Sequence, residues 1–172
     1  MRKTLAFIFA LIFFSLPAND AQAGALHAPA DVIAAINAYR TENDIYPLEA
    51  SSQLAALAQA QSDYQASIQT VTHSDAGGST ARQRAQSAGY GGGSTILIEE
   101  MIFSGQTATT ASAMEWWKAS PQHNGIMLST NYHQIGAGEA SSGGVTYITV
   151  VVGRVAGGTT ALPFGAEAGT SA

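Results

Sequence analysis

Apolar residues recur at helical spacing through the first half of the chain and crowd into extended runs in the second. Val32, Ile33, Ile36 and Tyr39 share one face and predict a helix from an Asp31 N-cap to about Glu42. On that helix Tyr39 is expected to pack, while Arg40 can be either solvated or paired. Asn43 to Pro47 reads as a turn, since Pro47 has no N–H with which to continue a helix. Ser51 or Ser52 can cap a second helix reaching about Ile68, with Leu54, Leu57, Ala58, Gln61 and Tyr64 inward. Thr80-Ala81-Arg82-Gln83 has capping-box form and opens a short third helix that Gly89 stops. A fourth helix, with Ser112 and Glu115 in capping-box spacing, runs to about Ala119, where Ser120-Pro121 ends it. Asp63 and His133 read as ordinary surface side chains.

Extended segments are expected at Thr95 to Met101, Tyr132 to Ala137 and Val145 to Val155. Ser141 to Gly144 reads as a hairpin turn between the last two. Val145 to Val152 is apolar or β-branched on both faces, which implies a central strand covered on both sides by helices. Trp116 and Trp117 are adjacent, so one should enter the core and the other stay half-exposed.

The first 23 residues have a different logic. Arg2 and Lys3 precede the apolar run Leu5 to Leu16, Pro17 interrupts it, and Ala21-Gln22-Ala23 is a cleavage signal. This reads as a secretory signal peptide over residues 1–23, too short to span a membrane comfortably. Residues 24–156 then form one domain, and the Gly/Ala-rich tail 157–172 is expected to be disordered. Absence of cysteine excludes thiol catalysis, Cys-based zinc sites and disulfides. The chain has a formal net charge of −5 and no basic cluster, so nucleic acid and anionic membranes are not expected partners.

Candidate chemistry sits at the element ends. His73 lies where the second helix gives way to the Gly77-Gly78 loop, and His123 lies on a short loop after Pro121. Glu99 and Glu100 follow the apolar run Ile96-Leu97-Ile98, and on a strand they point opposite ways. The inward one needs a partner, and His73 and His123 are the plausible ones. Glu115 reads first as a helix-cap residue.

Five motifs in order resemble the CAP superfamily (cysteine-rich secretory proteins, antigen 5, pathogenesis-related 1) in its bacterial SCP-domain form. They are Ile36-Asn37-Ala38-Tyr39-Arg40 with Pro47-Leu48, then His73-Ser74-Asp75 with Gly78-Ser79-Thr80, Arg84 and Ala88-Gly89-Tyr90. Glu99-Glu100-Met101-Ile102 with Gly105 follows, then Trp117, Ser120-Pro121 and His123, and finally Ile135-Gly136-Ala137-Gly138. The resemblance spans Val32 to Arg154. It implies an α+β fold, a three-layer α-β-α sandwich with a small, mostly antiparallel sheet. It also implies a cleft of two His and two acidic residues, which in some members holds zinc or another divalent ion. Carried over by position, the set is His73, Glu100 and His123, with Glu115 a weaker fourth and also a catalytic candidate. The chain departs from the animal and plant pattern at Ser120, Asn131 and Met101, where an acid, a His and an Asn are usual.

Three functions follow for an exported monomer. The first is a periplasmic or extracellular binding module for a lipid, glycan or protein. The second is a structural network in which His73, Glu100 and His123 hold loops together. The third is a zinc-dependent hydrolase using the same residues, against which stands the absence of an H-E-x-x-H motif. A serine triad is disfavoured because no G-x-S-x-G elbow occurs.

Overall fold

The computed structural model describes residues 29–157. The expected signal peptide lies outside the described residues, as does the tail after Gly157. The elements in order are α1 (Pro29–Glu42), β1 (Glu49–Ala50), α2 (Ser52–Ile68), α3 (Ala81–Ser87), β2 (Ile96–Gly105), α4 (Thr110–Ala119), α5 (Pro121–Met127), β3 (Gln134–Ser142) and β4 (Val145–Val155). The strands form one sheet in the order β1-β3-β4-β2. Among the described residues only the short β1–β3 pairing is parallel.

Alternation along β4 divides the core in two. Ile148, Val150 and Val152 pack with Val32 and Ile36 of α1, Ala113, Met114 and Trp117 of α4, and Met127 of α5. Val151 points the other way, to Leu54 and Ala58 of α2, Ala85 of α3, and Ile96 and Ile98 of β2. The result is the expected α-β-α sandwich with β4 buried on both faces. Gly143 and Gly144, both at positive φ, close the β3–β4 hairpin in two residues.

Helix α2 lies unusually close to β3. An added Cβ on Gly136 would sit 2.1 Å from the Ala55 nitrogen, and one on Gly138 would sit 2.2 Å from the Gln59 nitrogen. The Ile-Gly-Ala-Gly motif is therefore a packing device that lets helix backbone rest on strand backbone.

Several sequence expectations need correction. Asp31 is not the N-cap of α1, because the helix is already formed at Pro29; Asp31 sits in its first turn, where a carboxylate suits the helix dipole. Thr109, not Ser112, caps α4, and Ser112 is its capping-box partner, so Glu115 has no capping role. Pro121 ends one helix and at once occupies the first turn of the next, a position where its missing N–H costs nothing. His123 is thus on α5, not on a loop. On α2 the buried polar residues are Gln61, Ser62 and Gln65, while Tyr64 is only half-buried. Arg40 is buried, at 2% exposure, and donates to the carbonyls of Tyr46 (2.8 Å), Met127 (2.6 Å) and Ser129 (2.8 Å). It ties the end of α1 to the turn that follows and to the exit of α5.

Candidate functional site

The segment carrying His73 leaves α2 through Gln69, which adopts the left-handed conformation that terminates helices. Two buried glutamines then hold its backbone. Gln61 Nε2 donates to the carbonyls of Thr72 (2.6 Å) and Ser74 (3.3 Å), one on each side of His73. Gln65 Oε1 accepts from the Thr72 N–H, and Gln65 Nε2 donates to Thr149 Oγ1 on the central strand. Arg84 on α3 adds donations from Nη1 to the carbonyls of His73 (3.0 Å) and Ser79 (2.8 Å). With its backbone held from beneath, His73 projects outward, and its side chain is 62% exposed.

Beneath it lies Glu100. The strand alternation holds: Glu99 is exposed, while the Glu100 side chain is only 3% exposed. Glu100 Oε1 is 3.0 Å from His73 Nδ1, and Oε2 accepts a charge-assisted bond from Arg84 Nη2. Bonding to Glu100 raises the His73 pKa above its ordinary value, against the opposing effect of burial. The histidines were expected to be the inward partners of this carboxylate. Arg84 is the partner the sequence does not assign; its place in the same motif segment as His73 is the available signal.

His123 stands apart from that triad. Ser120 caps α5 by accepting from the His123 N–H, and its Oγ lies 2.8 Å from His123 Nδ1. The ring also packs against Trp116, with centroids 4.8 Å apart. Burial lowers the His123 pKa, and the nearby positive charge of His73 lowers it further. No hydrogen bond joins the two imidazoles: His73 Nδ1 pairs with Glu100 and His123 Nδ1 with Ser120. Glu115 is exposed on α4 and is bonded to neither histidine nor to Glu100 among the described residues.

An open groove of about 270 Å³ joins these elements. Its lining runs from His73 and Ser74 through Thr80, Ala81 and Arg82 to Ile98, Glu99 and Glu100 of β2 and Gln122 of α5. As arranged, His73, Glu100 and His123 do not fit a zinc site. Arg84 holds one Glu100 oxygen and His73 approaches the other, so a metal ion would have to displace a cation from a buried carboxylate. No group of three or more His, Asp or Glu among the described residues is disposed to hold a metal ion.

The sequence matches the family model described as CAP, the cysteine-rich secretory protein family, over residues 33–154. No curated protein matches the sequence significantly. Among solved structures, the fold resembles an outer surface protein of Borrelia burgdorferi at TM-score 0.66 and 20% identity, covering 73% of this chain and 91% of that one. It also resembles an extracellular SCP-domain protein of Bacillus anthracis at TM-score 0.63 and 19% identity, covering 73% of this chain and 39% of that one. A cysteine-rich secretory protein of Staphylococcus aureus gives TM-score 0.55 and 16% identity, covering 72% and 37%. At these identities the structural likenesses establish the fold alone.

Proposed function

The chain belongs to the CAP family of cysteine-rich secretory proteins, and on that premise we propose that it is an exported binding module whose ligand occupies the groove beneath His73. The observation that carries this reading is the state of Glu100. It is buried, its two oxygens are engaged by Arg84 and His73, and it presents a mostly exposed imidazole at the groove wall. A buried carboxylate with a cation on one oxygen and an imidazole on the other is poorly placed to act as a base or a metal ligand, but it fixes the ring that faces a ligand. Export is supported by the leader-like composition of residues 1–23 and by the surface and extracellular descriptions of the Borrelia and Bacillus neighbours. No helix among the described residues is long and apolar enough to cross a membrane.

The test combines binding with melting. Purified residues 24–172 are screened against oligosaccharides, fatty acids and phospholipid vesicles, alongside His73→Ala, His123→Ala and the double variant. The reading expects ligand binding that His73→Ala weakens while the fold persists. Should the double variant melt earlier yet bind every ligand as before, the histidines are structural ties and the reading fails.

A further inference from the structure

Trp116 and Trp117 are neighbours in sequence with opposite surroundings. Trp117 is fully buried and donates from Nε1 to the Ile102 carbonyl of β2. Trp116 is 48% exposed and offers a broad amphipathic ring to solvent. It is also held in place. Phe103 tilts against it at 6.1 Å between centroids and His123 at 4.8 Å, which fixes the angle of the exposed face. Gln122, which lines the groove, precedes His123 on α5, so one turn of that helix carries both a groove residue and the ring that packs on Trp116.

The groove itself is wrong for an acyl chain. It is open and small, and polar and apolar surface are about evenly mixed along its lining rather than forming a continuous apolar channel. Arg82, Glu99, Gln122 and His73 supply donors and acceptors of both kinds, with positive and negative charge opposed. A pyranose ring has matching chemistry. One face carries C–H groups that stack on an aromatic plane, and its rim carries hydroxyls that bond carboxylate, amide and imidazole. The balanced charges favour a neutral sugar over an anionic one.

We propose that Trp116 and the groove between His73 and Gln122 form a binding site for a neutral oligosaccharide. The indole face lies under one ring, and Glu99, Gln122 and His73 hydrogen-bond the hydroxyls of the next. The inference rests on the groove being a ligand site at all, and the test separates the two. The chain has two tryptophans, and Trp117 is sealed from solvent, so a ligand on Trp116 dominates any change in fluorescence. Cellotetraose and tetra-N-acetylchitotetraose are titrated as neutral sugar probes, and palmitate as an apolar one. The expected result is a saturable blue shift with a sugar at millimolar concentration or below. Trp116→Ala should abolish the shift and weaken binding by calorimetry about tenfold or more while the variant stays folded, and Trp116→Phe should restore part of the affinity. Failure of both sugars to bind, or binding indifferent to Trp116→Ala, overturns the sugar assignment. If palmitate alone binds and His73→Ala abolishes it, the sugar assignment falls while the groove stands as a ligand site.

Discussion

Replacing Arg84 by Leu is the sharpest test of how the site is held together. The substitution keeps an apolar stem on α3 but removes the guanidinium that bonds Glu100 and the carbonyls of His73 and Ser79. Glu100 is left with a side chain 3% exposed and one remaining partner, the His73 ring, which water can reach. Breaking a buried ion pair from one side costs about 3–5 kcal/mol, because the stranded charge keeps its desolvation penalty. The two lost carbonyl bonds add little, since the 73–79 segment lies near the surface and water can replace them. For a domain of this size the loss corresponds to a fall in melting temperature of about 10–20 °C. Chemical denaturation of wild type, Arg84→Leu, Glu100→Leu and the double variant gives the coupling energy directly. The double variant should recover most of the loss, because no charge is left stranded. A cost for Arg84→Leu below about 1 kcal/mol, the scale of an exposed ion pair, would refute the reasoning.

Other expectations follow from the same geometry. His73→Ala should raise the His123 pKa towards its ordinary value by removing a nearby positive charge, which NMR titration of the imidazole C–H resonances reads; an unmoved His123 would place the rings in separate environments. Because folding raises the His73 pKa, its stabilising contribution is complete below the unfolded imidazole pKa and is lost as pH rises through the higher folded value. His73→Asn should therefore flatten the melting profile between weakly acidic and weakly basic pH, and an unchanged slope would count against the His73–Glu100 bond. Gly138→Ala should cost about 1–3 kcal/mol or more in denaturant unfolding, since its Cβ would meet the Gln59 backbone and only separation of α2 from β3 relieves that; a neutral effect would mean the two are not in contact. Arg40→Met should cost more than about 3 kcal/mol by leaving three carbonyls without their charged donor, again read by denaturant midpoint.

Local chemistry fixed much of this protein before any coordinates. Helical period, a cap at Ser51 or Ser52, the Thr80 cap, Gly89 and a turn within Ser141 to Gly144 each act within a few residues, so α2, α3 and the β3–β4 hairpin could be read from the chain alone, although the strands run up to Gly143-Gly144. The two-sided apolar run of β4 likewise implied helices on both faces, and the opposed directions of Glu99 and Glu100 followed from strand geometry. What lay beyond the chain's own reach was pairing across distance. Arg84 and Arg40 look like solvated charges until α3 meets β2 and α1 meets α5, and then one neutralises a buried carboxylate while the other ties off carbonyls. Gly136 and Gly138 look like loose backbone until α2 lies against them. Which tryptophan faces water depends on how α4 seats on β2, which the sheet decides. Helix and strand signals are carried by neighbouring residues, but the partner of a charge is chosen by the fold, and in this protein those partners make the site.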